Sequence, residues 1–428
     1  MDKDPVKRQQ MIDFMAKILS AYHAERAPSS IKGAEVWYLP LFGVHHPKKP
    51  DQIQGVFDSS ATYKGTYLKS VLMKGPDIAN RLIGVLLRFR KEAIAVMGDI
   101  EKMFHCFHVP ERHRDYFRFL WHDDNDPDKE LIEYHMRVHV FGNKPSPAIA
   151  TYGLRKAAAS SSLYFGQDVK EFVDTNFYVD DGIASLPSTG EAIDFVKRTQ
   201  AALRKHGNIC FHKIASNSPE VMSAFPSDDR ASDLKDLNFM DHSEQCVPIQ
   251  RSLGISWDIK TDTFVLQVSV GDKPYTKHGI LSSVHSIYDP MGFLAPVTIN
   301  SRLILRDAVS SNVGWDDILS HELQQEWSEW LQSLRRLKDL HVSRPFTSLS
   351  FKGAVGRQIL MYCDASERAI AAVCYLELET LEGESQVGFL MGKTKVAPKH
   401  GHTIPRLELC AAVLSVQLAD LVCESLDI

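Results

Sequence analysis

Two adjacent aspartates, Asp180 and Asp181, follow Tyr178-Val179 and precede Gly182-Ile183. The flanks Thr175–Val179 and Ile183–Leu186 are short and β-prone, so the pair reads as the tip of a tight hairpin. Neighbouring carboxylates at a turn repel each other, and a cation relieves that repulsion. Hard divalent ions such as magnesium take oxygen ligands from one or two carboxylates and share the rest with phosphates. Asp123-Asp124 and Asp228-Asp229 also occur, but in segments rich in polar turn residues, where solvated loops are expected. Tyr178–Asp181 differs because both of its sides are strand-like.

A third carboxylate lies upstream. Asp99 ends the run Ala93-Ile94-Ala95-Val96-Met97-Gly98, whose length and apolarity suit a buried strand. An acid in a core is costly, so Asp99 belongs at the strand's mouth. Asp99 and Asp180 on neighbouring strands would hold two metal ions roughly 3.5–4 Å apart, as in-line phosphoryl and nucleotidyl transfer requires.

Other segments place these acids in a fold. Asp77 to Lys91 has helical spacing of apolar and basic residues. Ser146-Pro147 opens another helix with serine as N-cap. Ser188-Thr189-Gly190-Glu191 is a capping box, and its helix ends at Arg204-Lys205-His206-Gly207, with the glycine at C′. The order is strand with Asp99, helix, acidic hairpin, helix, then further strands: an antiparallel sheet carrying acids, with helices behind it.

The residues resemble those of the reverse transcriptase of BEL/Pao-type long-terminal-repeat retrotransposons, continuing into the start of its ribonuclease H domain. The matching stretches are Trp37–Pro40, Val56–Asp58, Gly75–Asp77, Gly98–Phe104, Phe141–Pro147, Tyr178–Asp181, Leu253–Trp257, Tyr288–Pro296, Cys363–Ser366 and Thr403–Leu409. They follow the family's order from about residue 35 onward. The resemblance implies an α+β right-hand polymerase with fingers, palm and thumb, followed by a connection segment and a partial ribonuclease H-like α/β domain. In those terms residues 1–34 are a helical lead-in, 35–260 fingers and palm, 261–345 a thumb and connection-like region, and 346–428 the start of the ribonuclease H-like domain.

The resemblance also implies roles. Asp99, Asp180 and Asp181 would be the catalytic metal ligands for two Mg2+ ions, with Mn2+ as an alternative. Phe104 would be the aromatic gate that clashes with a 2′-hydroxyl, the group that separates RNA from DNA building blocks. Phe141 would cover the incoming deoxynucleotide and the template base. Lys213 would serve as proton donor to the leaving pyrophosphate, and Leu253-Gly254 as the primer grip. The partners would be an RNA or DNA template with its primer, and deoxynucleoside triphosphates.

One departure matters. Gln54 stands where relatives carry an arginine that grips the triphosphate. Arginine makes bidentate charge-assisted bonds to phosphate, while glutamine offers a neutral amide. Losing one such contact costs about 1.5–3 kcal/mol, and Lys48 or Lys49 would have to compensate. A second reading follows: a degenerate retroelement remnant that keeps the fold and nucleic-acid binding without catalysis.

In the C-terminal part, Ile359–Cys363 reads as a strand ending at Asp364, with strands at Ala371–Leu376 and Val387–Met391. A helix with Leu407, Ala411, Leu414, Leu418 and Leu421 on one face carries Glu408 in its first turn. Asp364 and Glu408 resemble part of a ribonuclease H site. That fold needs another aspartate on a next strand, and the chain stops at Ile428, so no hydrolysis is expected. Helices are also expected over Ile280–Asp289, Ser301–Val309 and Glu322–Leu337, with Trp327 and Trp330 in a core.

Composition agrees. The 428 residues are 44% hydrophobic and 24% charged, the range of globular domains, and the length suits two to four of them. Seven cysteines with no C-x-x-C pair argue against a disulfide framework and a zinc knuckle. The net charge of −5 leaves nucleic-acid contact to local basic clusters at 45–49, 81–91, 155–156 and 204–206. No apolar run of membrane-spanning length is read, and no signal peptide. The expected setting is intracellular and cytoplasmic, within a virus-like particle if the element is active. No Asp-Thr-Gly or Asp-Ser-Gly triplet occurs, so no aspartic peptidase site is supported.

Overall fold

The computed structural model describes residues 4–29, 35–46, 49–231, 249–252, 255–266, 273–335, 337, 340–398 and 401–428. The chain divides into two compact units. The first comprises 1–79, 100–173 and 198–211, and the second 80–99, 174–197 and 212–428.

In the first unit, helix α1 (Pro5–Ser20) starts where the Asp4 carboxylate accepts from the backbone N–H of Val6 and Lys7 at 3.1 Å, with proline in the first turn. Such a cap satisfies donors that the helix itself leaves open. Strand β1 (Ala24–Arg26) follows, then the antiparallel hairpin of β2 (Leu41–His46) and β3 (Lys49–Phe57) and a short helix α2 (Leu68–Val71). Strands β5 (Arg118–His122) and β6 (Leu131–Met136) join β1 in a sheet of order β1-β6-β5. Helices α4 (Ser146–Phe165) and α5 (Gln167–Thr175) complete the unit. Met11, Met15, Phe57, Phe119 and Met136 belong to its core.

The second unit contains α3 (Leu82–Arg88) and a four-stranded sheet of order β7-β8-β4-β9, made of β4 (Ile94–Ile100), β7 (Phe177–Tyr178), β8 (Asp181–Leu186) and β9 (Phe211–Ser216). Helix α6 (Thr189–Gly207), whose residues up to Lys197 belong to this unit, and α7 (Pro219–Ser223) flank β9 in sequence. Strands β10 (Ile249–Ser252), β11 (Ile255–Asp258), β12 (Thr263–Val265) and β13 (His341–Ser343) form a meander. Helices α8 (Lys277–Ser286), α9 (Ala295–Val309) and α10 (His321–Arg335) share a small core in which Trp327 stacks on Trp330 at 4.6 Å. Last come the antiparallel sheet of β14 (Gly356–Ala365), β15 (Ala369–Glu379) and β16 (Ser385–Val396), and helix α11 (Ile404–Leu426).

One core runs through most of this unit. Ala95 and Met97 of β4 and Ile183 of β8 pack in the same cluster as Ala372, Cys374 and Leu376 of β15 and Leu407, Ala411, Leu414 and Leu418 of α11. The strands that carry the acids therefore share a core with the C-terminal sheet and helix, and α3 contacts both β8 and α11.

Several sequence expectations need correction. The helix over Asp77–Lys91 shrinks to Leu82–Arg88, because Asn80 donates its side-chain amide to the Phe177 carbonyl at 2.8 Å and is held against the hairpin. Ser146 is the first helical residue and not the cap. Its hydroxyl donates to the Val140 carbonyl at 3.0 Å, and Pro145 takes the cap position. At the expected capping box Ser188 does cap the helix, with Glu191 N–H donating to Ser188 Oγ at 3.3 Å, while the Glu191 carboxylate accepts from the Ser188 hydroxyl at 3.2 Å. Its helix runs through Gly207, and Asn208, at φ +50°, takes the left-handed position. Asparagine is the usual second choice there.

Glu408 lies beyond the first turn of α11. That helix is also long and apolar enough to cross a membrane by length and composition, although Glu408, Gln417, Asp420 and Glu424 interrupt any continuous apolar run. Its apolar face packs in the core of the second unit.

The basic cluster at 88–91 is no surface stripe. Arg90 is 2% exposed and donates to the carbonyls of Arg344 and Leu390. Arg88 and Lys91 likewise donate to backbone carbonyls.

Candidate active site

The central strand β4 is buried from Ala95 to Gly98 and becomes half-buried at Asp99. It pairs antiparallel with β8 so that Gly98 faces Gly182 and Asp99 faces Asp181. The two glycines thin the ladder just inside the acids. At Gly182 a Cβ would meet the Phe177 ring at 2.6 Å, so the ring of β7 can lie across the strand only because that position is bare.

The turn from β7 to β8 is a two-residue loop, Val179-Asp180, closed by the pair Tyr178–Asp181. Val179 has φ +60°. A first loop residue at positive φ matches the twist of a hairpin and favours glycine. A β-branched residue there is strained.

The electrostatics follow from crowding. Burial raises the Asp99 pKa, but contacts with His212 and Lys213 reverse this and hold it below its ordinary value. The Lys213 ammonium pairs directly with Asp99 Oδ2, while His212 Nε2 stands 3.7 Å away, too far for a hydrogen bond. Lysine therefore dominates. Asp180 shifts the other way: burial and then the negative charge of Asp99 raise its pKa, against smaller pulls from its own backbone N–H and Lys213. Asp99 and Asp180 thus sense each other's charge, and the Lys213 ammonium already holds one of them. Among the described residues the three carboxylates do not close to within 4.8 Å of one another.

In the first unit, Phe104 sits on a 3-10 turn, Met103–Cys106, and is 7% exposed. Its ring meets that of Phe141 edge-on at 4.7 Å. Both border a cavity of about 210 Å³ together with Gln54, Lys17 and Lys102. The cavity was not legible in sequence, because Lys17 comes from α1, a segment with no motif. Its His105 is pushed down to about 4 by burial and then by His23 and Lys102.

Lys48, Leu253 and Gly254 lie outside the described residues. Lys49 belongs to the backbone of β3, and its side chain lies outside them too. Asp364 is the penultimate residue of β14, and its pairing opposite Ala371 puts it one pleat away from Cys363, which faces Ala372. Ala372 points into the core shared with α11, so alternation turns Asp364 to the other face. There it borders a cavity of about 360 Å³ with Tyr362 and Tyr375. Glu408 is exposed on α11.

Residues 276–428 match the family model described as the Pao retrotransposon-like RNaseH-like domain. The whole chain shares its fold with the foamy viral protease-reverse transcriptase dRH solved in complex with double-stranded DNA. The TM-score is 0.63 at 12% identity, covering 98% of this chain and 61% of that one. The foamy viral protease-reverse transcriptase solved with an RNA/DNA hybrid gives a TM-score of 0.55 at 13% identity, covering 99% of this chain and 47% of that one. The fold is that of a retroelement reverse transcriptase and RNase H region. The chain spans only part of those longer proteins. No curated protein matches it by sequence.

Proposed function

We propose that the chain carries the RNA-directed DNA polymerase chemistry of a BEL/Pao-type element, extending a primer 3′-hydroxyl with deoxynucleoside triphosphates. The observation that carries this reading is the placement of Asp99 on β4 opposite Asp181 on β8, with Asp180 in the turn just before Asp181 and the Asp99 charge felt there. Asp99, Asp180 and Asp181 would hold two magnesium ions, which when bound supply charge stabilisation to an in-line displacement at phosphorus. Phe104 and Phe141 would wall the sugar and base of the incoming nucleotide. Lys213 lies beside Asp99 and would exchange its carboxylate for the phosphates of the substrate.

The duplexes held by the two similar structures favour a template–primer as the ligand. We assign 35–260 to fingers and palm, 261–345 to thumb and connection, and 346–428 to the ribonuclease H-like part.

A second reading, a remnant that binds nucleic acid without turnover, draws on Gln54 at the cavity wall, where a neutral amide replaces a cation. Primer extension on an RNA template separates the two. The polymerase reading expects extension that stops with a chelator and returns with Mg2+. Duplex binding without any extension would leave the remnant reading in place.

A further inference from the structure

The acidic hairpin has a support that no motif announces. Arg88, at the end of α3, is half-buried and divides its guanidinium between two places. Its Nε donates to Asn176 Oδ1 at 3.0 Å, and one terminal nitrogen donates to the Thr175 carbonyl. The other donates to the Ser425 carbonyl at 3.0 Å, in the last turn of α11. Asn176 in turn spans the hairpin: its amide donates to the Ile183 carbonyl at 2.9 Å, and Ile183 N–H donates to the Asn176 carbonyl at 3.2 Å. The Arg88 backbone takes part as well, since the Ser185 hydroxyl of β8 donates to the Arg88 carbonyl at 3.2 Å.

The close approach needs Gly84. A Cβ at that position would come within 3.1 Å of Ser425 Oγ and 3.3 Å of the Arg88 guanidinium. Lys91, one turn on, donates to the Leu426 carbonyl at 3.0 Å but makes no contact with the hairpin among the described residues. Two cations thus meet the carbonyl end of α11, the end that a helix dipole makes negative, and only one of them reaches the acids' support.

We propose that Arg88 is a positioning residue that fixes the Asp180-Asp181 hairpin by tying its base to the last turn of α11, so that the RNaseH-like segment is a structural part of the candidate polymerase site. A planar five-donor group can hold three acceptors on two elements in one geometry, which a lysine cannot. The Arg88 guanidinium donates to Asn176, Thr175 and Ser425 and to none of the three acids, so it acts through the base of the hairpin. Its geometric part stands independently of the polymerase reading, while its consequence for turnover rests on that reading.

The test compares Arg88→Gln, Arg88→Lys and Lys91→Gln in the full chain. Amide exchange over 177–183 reads the hairpin directly, and the affinity for Mn2+, followed by its spectrum, reads the carboxylates. Arg88→Gln should speed hairpin exchange by about tenfold or more and weaken Mn2+ binding. Arg88→Lys should restore it only in part, and Lys91→Gln should leave both unchanged. If primer extension is measurable, Arg88→Gln should lower kcat by about tenfold or more with KM for the nucleotide little changed, as a misplaced reacting group does. Unaltered hairpin exchange in a folded Arg88→Gln, or the same change in Lys91→Gln, would overturn the proposal. Absence of extension in the unmutated protein would instead count against the polymerase reading and leave the exchange result to decide.

Discussion

Asp99 stands directly across the β4–β8 ladder from Asp181, and the Lys213 ammonium rests on its carboxylate. Like charges face each other at strand ends and a side-chain cation answers them. The same arrangement gives the two outer acids opposite pH behaviour.

Asp99 has a lowered pKa in the fold. Its contribution to stability is therefore present above the unfolded carboxylate value and is lost as pH falls through the folded one. Asp180 has a raised pKa, so its ionised form destabilises the fold above the folded value, and the penalty vanishes below the unfolded one. Thermal melts should show Asp180→Asn more stable than the unmutated protein at pH 7, by about 1–2 °C, with the gain gone near pH 3. Asp99→Asn should be less stable at pH 7. The same sign for both variants at neutral pH would contradict this electrostatic account.

Val179 carries a β-branched side chain at φ +60°. Val179→Gly should be tolerated, changing stability by less than about 1 kcal/mol, because relief of left-handed strain offsets added chain entropy. Val179→Pro cannot adopt that φ and should cost about 3 kcal/mol or more. Urea melts give both values, and a harmless proline would mean the turn is not of this type.

Arg344 is completely buried, donating to both oxygens of Asp262 and to the carbonyls of Phe89 and Ala93, at the entry to β4. Arg344→Met removes the cation from the half-buried Asp262, to which Trp257 and Asn217 still donate, and leaves the Phe89 and Ala93 carbonyls without that donor, so it should destabilise by about 1–3 kcal/mol. Pairing it with Asp262→Asn should recover part of that loss. Additive losses in a double-mutant cycle would show that the two residues do not act as a pair.

Much of the candidate site could be read locally. The hairpin around Asp180 and the strand before Asp99 are spelled by neighbours in sequence, and capping at Ser188 and Glu191 is a short-range hydrogen-bond pattern. What could not be read depends on distant partners. Arg88, Arg90 and Lys91 look like a solvated basic run until the carbonyls of Ser425, Leu390 and Leu426 come into place. Asp262 and Arg344 lie in sequence far apart, with nothing in either segment to announce a pair. The helix expected from Asp77 begins only at Leu82, and the Asn80 side chain before it is bonded to the distant Phe177 carbonyl.

Phe104, packed edge-on against Phe141, should decide which sugar is accepted. Phe104→Val opens space beneath the sugar and should raise ribonucleotide use relative to deoxynucleotide by about tenfold or more, one to two methylene-sized contacts being worth that much. An unchanged ratio of kcat/KM values for the two sugars would remove Phe104 from this role.

Asp99, Asp180 and Asp181 are proposed to form one site for nucleotidyl transfer. The most direct test is single-nucleotide addition to a primer on an RNA template with Mg2+, comparing the unmutated chain with Asp99→Asn, Asp180→Asn and Asp181→Asn. Addition by the unmutated chain and a loss of at least about a hundredfold in each variant are expected. Equal addition by Asp180→Asn and the unmutated chain, or none by the unmutated chain, would contradict that assignment.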